Sequence, residues 1–319
     1  MLLSIIIVNW NGGTLINDCL SSIYDNKSSK PFEVIVVDNN SSDRSSDIIK
    51  KKFPQVNLLQ QKSNLGFGSA NNIGVRKAKG KNILFLNPDT RIGVNTLDFL
   101  VGYLQENKRV GILGCKVLYP DGRLQRSAYK RFPGLLSHIL EYNYLMRGFL
   151  MSKKPYFDDM AFSETDFDSI INAKHLMGSC ILVRKKDFES LNGFDEKFFL
   201  YREETDLCLR YLKKGFEIRY VPNVRIIHQM GGLSNNQYTP ANIYYMESAY
   251  RFFLKHRGRI YVIFAWLLAV LSLVTNLILL LLLKIFLPRK FNNYNGTLWL
   301  TINSRMLNWH SKNVLRILI

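Results

Sequence analysis

Cysteine is scarce in this chain: four in 319 residues, at positions 19, 115, 180 and 208, with no CxxC pair. Each sits inside an apolar run, which excludes a disulfide scaffold and a zinc ribbon. Buried free thiols in a reducing compartment are expected instead. GxSxG elbows, Walker loops and HExxH motifs are all missing, so no nucleophilic triad, NTPase cradle or zincin site is expected. No RNP, helix-turn-helix or finger pattern occurs, and nucleic acid is not an expected partner. Leu2–Val8 lacks a basic flank and stops at Asn9-Trp10-Asn11-Gly12, so it does not read as a signal peptide. The sequons at Asn26, Asn40 and Asn295 are then expected to stay bare. Acid is missing altogether from residues 251–319, which hold ten of the 43 basic residues. That segment supplies +10 of the net +18 and also carries the most apolar run. Basic and apolar character together point to an anionic membrane surface.

What is present suits a folded chain of one large domain or two smaller ones, with 47% apolar and 21% charged residues. Leu3–Val8, Phe32–Val37, Val56–Gln60 and Asn82–Leu86 read as strands, the longer ones buried on both faces. Thr14 caps a helix with Leu15, Cys19, Leu20 and Ile23 inward. Alternating strands and helices predict parallel pairing with right-handed crossovers. Ligands in such sheets bind at the carboxyl ends of strands. Three polar clusters fall there: Asn9–Gly13, Asp38–Asp43 and Asn87–Asp89. Residues 129–160 read as an aromatic, basic lid. Further on, Ile181–Val183 reads as a strand and Asn192–Asp195 as a turn. Glu203–Lys214 is an amphipathic helix ended by Gly215. Ile218–Val221 and Val224–Ile227 read as strands joined by a Pro222-Asn223 turn. Tyr261–Leu283 is 23 residues without a charge, long enough to span a bilayer. Its basic flanks are nearly balanced, so spanning and a re-entrant hairpin bent near Thr275-Asn276 both remain open. The tail Leu298–Ile319 reads as interfacial, with Trp299, Trp309, Arg305, Lys312 and Arg316 at headgroup level.

Several of these clusters suit chemistry. Asp89 follows a buried strand and is held by Pro88, so its carboxylate could share a Mg²⁺ or Mn²⁺ with diphosphate oxygens. A turn-forming Asp is the plainer alternative. Asp38 and its short polar neighbours can read a base and ribose, or simply cap a helix. Asn64–Gly74 can bring backbone N–H groups near phosphate. Glu203, Glu204 and Asp206 crowd one helix start. Helix-dipole stabilisation accounts for acids there, but crowding can also raise a carboxyl group towards general-base duty. His228, at a strand end beside Gly231-Gly232, is a ligand candidate or a structural histidine.

The ordered set is Ser4–Asn11, Val37–Asp43, Asn64–Gly74, Leu86–Asp89, Gly178–Arg184, Gly193–Phe199, Glu203–Arg210 and His228. It resembles family-2 glycosyltransferases over about residues 1–250, nearest the rhamnosyltransferase-like branch that builds bacterial surface polysaccharides. The resemblance implies an α/β GT-A catalytic domain over 1–250. Residues 1–115 would be its nucleotide-sugar-binding half and 116–250 its acceptor half. Residues 251–319 would follow as a membrane-associated helical segment, with 261–283 as its transmembrane or re-entrant part. It implies an inverting enzyme that uses Mg²⁺ or Mn²⁺. Asp38 would contact the nucleobase. Val8, Asn9, Asn11, Asn40, Asn64, Gly66, Asn71, Asn87 and Pro88 would complete the nucleotide-sugar pocket. Asp89 would hold the metal. Asn87 stands where the family's DxD-type motif has its first acid, which strengthens His228 as second ligand. Gly178, Ser179 and Cys180 would face the acceptor. Glu204 would be the general base, with Glu203 and Asp206 as alternatives. The partners implied are a nucleoside-diphosphate sugar and a lipid-linked saccharide at the cytoplasmic face of the inner membrane. Transfer of a hexose to polyprenyl phosphate, or an inactive nucleotide-sugar-binding scaffold, are the competing expectations.

Overall fold

The computed structural model describes residues 2–26, 28–142, 162–229, 240–293 and 295–318. The chain forms two compact units, residues 1–132 with 160–235, and residues 133–159 with 236–319. That division falls before residue 250 and adds part of the lid segment to the C-terminal unit. In the first unit, β1 (Leu3–Asn9), α1 (Leu15–Asp25), β2 (Phe32–Asp38) and α2 (Ser45–Lys52) lead to β3 (Asn57–Gln60). Next come α3 (Phe67–Lys77), β4 (Asn82–Leu86), β5 (Thr90–Ile92), α4 (Thr96–Glu106), β6 (Val110–Leu118) and β7 (Ala128–Tyr129). The second unit contributes α5 (Leu135–Tyr142). The chain returns to the first unit through a 3₁₀ turn at Glu164–Asp168. There follow β8 (Ile171–Asn172), β9 (His175–Leu176), β10 (Cys180–Arg184), α6 (Lys185–Ser190), α7 (Glu203–Lys213) and β11 (Glu217–His228). The second unit resumes with α8 (Pro240–Arg257), α9 (Arg259–Phe286), α10 (Pro288–Asn293) and α11 (Gly296–Leu318).

Among the described residues the main sheet runs β3-β2-β1-β4-β10-β6-β11-β5, with β8 beside β11. The first four strands pair in parallel, as βαβ crossovers require. β10 then enters antiparallel between β4 and β6. β1 shows why the sheet is buried on both faces. Ile5 and Ile7 join one core with Ile16, Cys19, Leu20 and Ile23 of α1. Ile6 and Val8 join the opposite core with Ala70 and Val75 of α3. A period of two divides the strand between two layers. Each fully buried Ile contributes about 1.5–3 kcal/mol by leaving water.

Local departures have physical reasons. Ile16, rather than Leu15, faces inward on α1, and Thr14 occupies the cap position without a side-chain cap hydrogen bond. Pro222-Asn223 is no turn: β11 is one strand, and a register shift against β6 between Val221 and Arg225 absorbs the proline. The supposed lid is helical over Leu135–Tyr142. Residues 143–160 of it lie outside the described residues, as do Gly231 and Gly232. α9 runs unbroken through Thr275 and Asn276, so no hairpin bend occurs there.

Candidate active site

Two loops at the carboxyl edge of the sheet are stitched together. Asn9 and Asp38 are register partners at the ends of β1 and β2. Asn9 Nδ2 donates to Asp38 Oδ1 (2.9 Å), Ser41 Oγ (3.1 Å) and Ser45 Oγ (2.8 Å). Ser41 Oγ in turn donates to Asp38 (2.6 Å). Asn11, in the left-handed region at φ 51°, accepts Ser42 N–H through Oδ1 (2.7 Å). Asp43 accepts Gly13 N–H (2.7 Å). Asn9 and Asp38 are buried within this network at the strand ends, whereas Asn40 projects exposed at φ 63°.

A third loop joins them. Asn39, next to Asp38, donates to Asn64 Oδ1 (2.9 Å) and Gly66 O (3.0 Å), and accepts Leu65 N–H (3.1 Å). Gly66 sits at φ 82°, and a Cβ there would lie 2.2 Å from Phe199 O. Only glycine lets the start of α3 approach that carbonyl, which accepts Phe67 N–H at 2.9 Å. Asn71 is buried and bonds its own helix at Phe67 O (3.0 Å), a structural placement.

After β4, Asp89 Oδ1 lies 3.2 Å from His228 Nε2. Asn87 Nδ2 lies 3.3 Å from the same nitrogen. His228 Nδ1 lies 2.7 Å from Gln125 Oε1, which holds the ring with Nε2 turned to Asp89. An imidazole nitrogen and a carboxylate oxygen this close call for a proton or a cation between them. A carboxylate, an imidazole and an outer amide that fixes the ring suit a divalent ion. No group of three or more His, Cys, Asp or Glu suited to a metal occurs among the described residues. Donor oxygens and water would therefore fill the remaining positions. A small recess of about 100 Å³ opens beside Asp89, lined by Asp18, Arg91, Gln229 and neighbours. Burial pushes the nearby Cys19 thiol up to about 12, so it stays protonated.

The Gly178-Ser179 turn links this edge to the acidic helix. Asn87 N–H donates to Ser179 O (3.1 Å). A Cβ on Gly178 would lie 3.7 Å from Glu204 Cβ and 3.9 Å from the Phe67 ring. The Asp89 edge, the Asn64–Phe67 loop and α7 thus adjoin one turn. Ser179 and Cys180 are buried, the latter with Sγ 3.9 Å from Cys115 Sγ. Their side chains pack inward, whereas Gly178 adjoins Glu204.

The three acids of α7 separate by environment. Asp206 is fully buried and paired with Arg210 (2.8 Å), whose other nitrogens donate to Leu191 O and Gly193 O. It is a brace for the Asn192-Gly193 turn. Asp206→Ala should lower stability by about 3 kcal/mol in urea melts, leaving an uncompensated arginine. The pH at which activity rises should not move. Burial, then the adjacent Glu204, drives the Glu203 carboxyl well above the usual range. Glu204 is also raised, chiefly by burial, with its own N–H, Thr205 and Arg202 opposing. Glu203 is thus the more strongly raised of the pair, and Glu204 is the more exposed. Raised carboxyls favour folding most at low pH. That contribution is lost as pH climbs from the ordinary carboxylate value through the raised one.

Sequence reading missed the wall beside Glu204. Tyr201 and Arg202 both hold positive φ, at 69° and 68°, ahead of α7. The His175 ring stacks on Tyr129 with centroids 4.4 Å apart. Burial and then Arg202 push its imidazole down to about 3, so it is neutral. Pairing of β7 with β9 creates this contact, and no local pattern signals it.

Residues 4–191 match the family described as glycosyl transferase family 2. The chain belongs to that family. Residues 159–234 also match the N-terminal domain of galactosyltransferase. An N-acetylglucosaminyl-diphospho-decaprenol L-rhamnosyltransferase of Mycobacterium tuberculosis is 28% identical over 238 residues, covering 71% of this chain and 75% of its own. Rhamnosyltransferase WbbL of Escherichia coli K12 is 30% identical over 199 residues, covering 60% of this chain and 71% of its own. The mannosyltransferase PcManGT of Pyrobaculum calidifontis, solved with GDP-Man and Mn²⁺, superposes with a TM-score of 0.55 at 15% identity, over 96% of this chain and 87% of its own. Such likeness fixes the fold of this family 2 glycosyltransferase as GT-A-like α/β.

Proposed function

We propose that the chain is an inverting glycosyltransferase. It moves a sugar from a nucleoside-diphosphate donor to a hydroxyl of a lipid-linked saccharide in bacterial surface polysaccharide synthesis. Rhamnose is the sugar suggested by the two curated relatives above. The observation that carries the reading is the convergence of Asp89 and His228 at the strand edge, one turn from Glu204. Asp38 and Asn40 would receive the nucleoside, and backbone N–H groups of the Asn64–Phe67 loop would approach the diphosphate. Asp89 and His228 would hold the divalent ion, which when bound neutralises charge on the departing diphosphate. Glu204 accepts the proton of the acceptor hydroxyl as its oxygen attacks the anomeric carbon from the face opposite the leaving group. One base with no covalent partner gives inversion. Gly178 leaves room above Glu204 for the acceptor, and Arg202 helps the carboxylate ionise. The chain would work at the cytoplasmic face of the inner membrane, held by its basic, apolar segment.

A panel of nucleotide sugars, tested for Mn²⁺-dependent turnover with a polyprenyl-diphosphate-linked saccharide, tests the reading. One donor should be consumed with matching acceptor extension. Consumption only with polyprenyl monophosphate would favour the hexosyl-lipid alternative. Binding without consumption across the panel would favour the scaffold.

A further inference from the structure

The second unit shows two faces of α9 that its sequence does not separate. One face is buried against the unit's own helices: Val262, Ala265, Ala269, Leu273, Asn276 and Leu280 recur at helical spacing. The other carries Phe264, Leu267, Leu271, Val274, Ile278 and Ile285, all exposed, with Leu271 at 63% and Ile285 at 68%. That stripe runs the length of a 28-residue helix of about 42 Å. Thr275, a polar side chain on that side, turns its hydroxyl back to Leu271 O (2.8 Å).

The neighbours of the buried face decide what the stripe meets. Ala269 and Leu273 cluster with Tyr142 of α5 and Met246 of α8, against Met306, Leu307 and Trp309 of α11. Asn276 Nδ2 donates to Tyr142 O (2.6 Å) and Asn303 Oδ1 (3.3 Å). These contacts fall at the middle of α9, the part a spanning helix would place at the bilayer centre. Yet α8 carries the Glu247–Arg251 ion pair one turn along, and α11 carries Arg305, Lys312 and Arg316. Helices so charged cannot accompany α9 through hydrocarbon. Both ends of α9 are cationic, with Arg257 and Arg259 at one and Lys284, Arg289 and Lys290 at the other, all exposed. No acid occurs from residue 251 onward to repel an anionic surface.

We propose that α9 lies in the plane of an anionic membrane leaflet. The Phe264–Ile285 stripe enters the acyl boundary, while α5, α8 and α11 remain on the aqueous side. The chain is thereby monotopic, neither spanning nor re-entrant. This refines the membrane location in the functional reading and does not depend on its sugar chemistry, so either can fail alone.

Flotation of the full-length chain with phosphatidylglycerol/phosphatidylcholine vesicles, against phosphatidylcholine alone, tests the surface. Binding should require the anionic lipid and weaken with salt. The double variant L271E/I278E should lower partitioning at least about tenfold, with nucleotide binding as the check on folding. Topology is tested in cells with R257C and N292C, which flank α9, and a membrane-impermeant maleimide. Both should label in inside-out vesicles and neither in spheroplasts. Labelling from opposite sides would overturn the proposal in favour of a spanning helix. Indifference to vesicles, with a dimer that L271E/I278E dissociates, would overturn it in favour of a second copy of the chain.

Discussion

Glu204→Gln should cut transfer to acceptor by about a hundred- to ten-thousand-fold, the usual contribution of a general base. Isothermal titration should show nucleotide-sugar binding within about twofold of the parent. The amide keeps the shape of the side chain and removes only its ability to accept a proton. The parent rate should rise with pH, because the base must ionise. The rise should lie above the ordinary carboxylate range, since burial raises the Glu204 carboxyl. Glu203→Gln separates the two acids. It removes a neighbouring carboxyl that is raised by burial and competes for the same environment. It should shift the rise in rate along the pH axis and leave transfer measurable. Full activity in Glu204→Gln would remove this residue from the mechanism.

Asp89→Ala should abolish the part of nucleotide-sugar affinity that depends on Mn²⁺. His228→Ala should weaken it less, because it leaves the carboxylate in place. Gln125→Ala touches neither donor nor proposed ion, yet it frees the His228 ring from its 2.7 Å partner. Loss of such an outer partner typically costs about 10–100-fold in metal affinity. Titration of Mn²⁺ against each variant with nucleotide present should give that order. If all three bind the donor as the parent does, Asp89 and His228 form only an ion pair.

The parallel half of the fold was legible because its longer strands are mostly apolar runs and its loops are polar. Leu3–Val8 and Asn82–Leu86 could hardly be anything else. The antiparallel entry of β10 was not legible, since a buried strand reads alike in either direction. Pro222-Asn223 looked like a turn because a proline inside a strand is costly, and a register shift offsets that cost only in three dimensions. Asp89, His228 and Glu204 stood out through position at element ends. Gln125 did not, because it meets His228 across 103 residues of sequence. Asn9 and Asp38 stood out at strand ends, but the hydrogen bond between them joins residues 29 apart and had no local signal. The buried face of α9 was hidden for a related reason: its partners Tyr142 and Asn303 lie 134 and 27 residues away from Asn276.

The anomeric configuration of the linkage made by the parent enzyme tests the central account most directly. Nuclear magnetic resonance of the product from a donor of known configuration should show complete inversion. Retention would require a double displacement or a front-face attack and would contradict a single in-line attack assisted by Glu204.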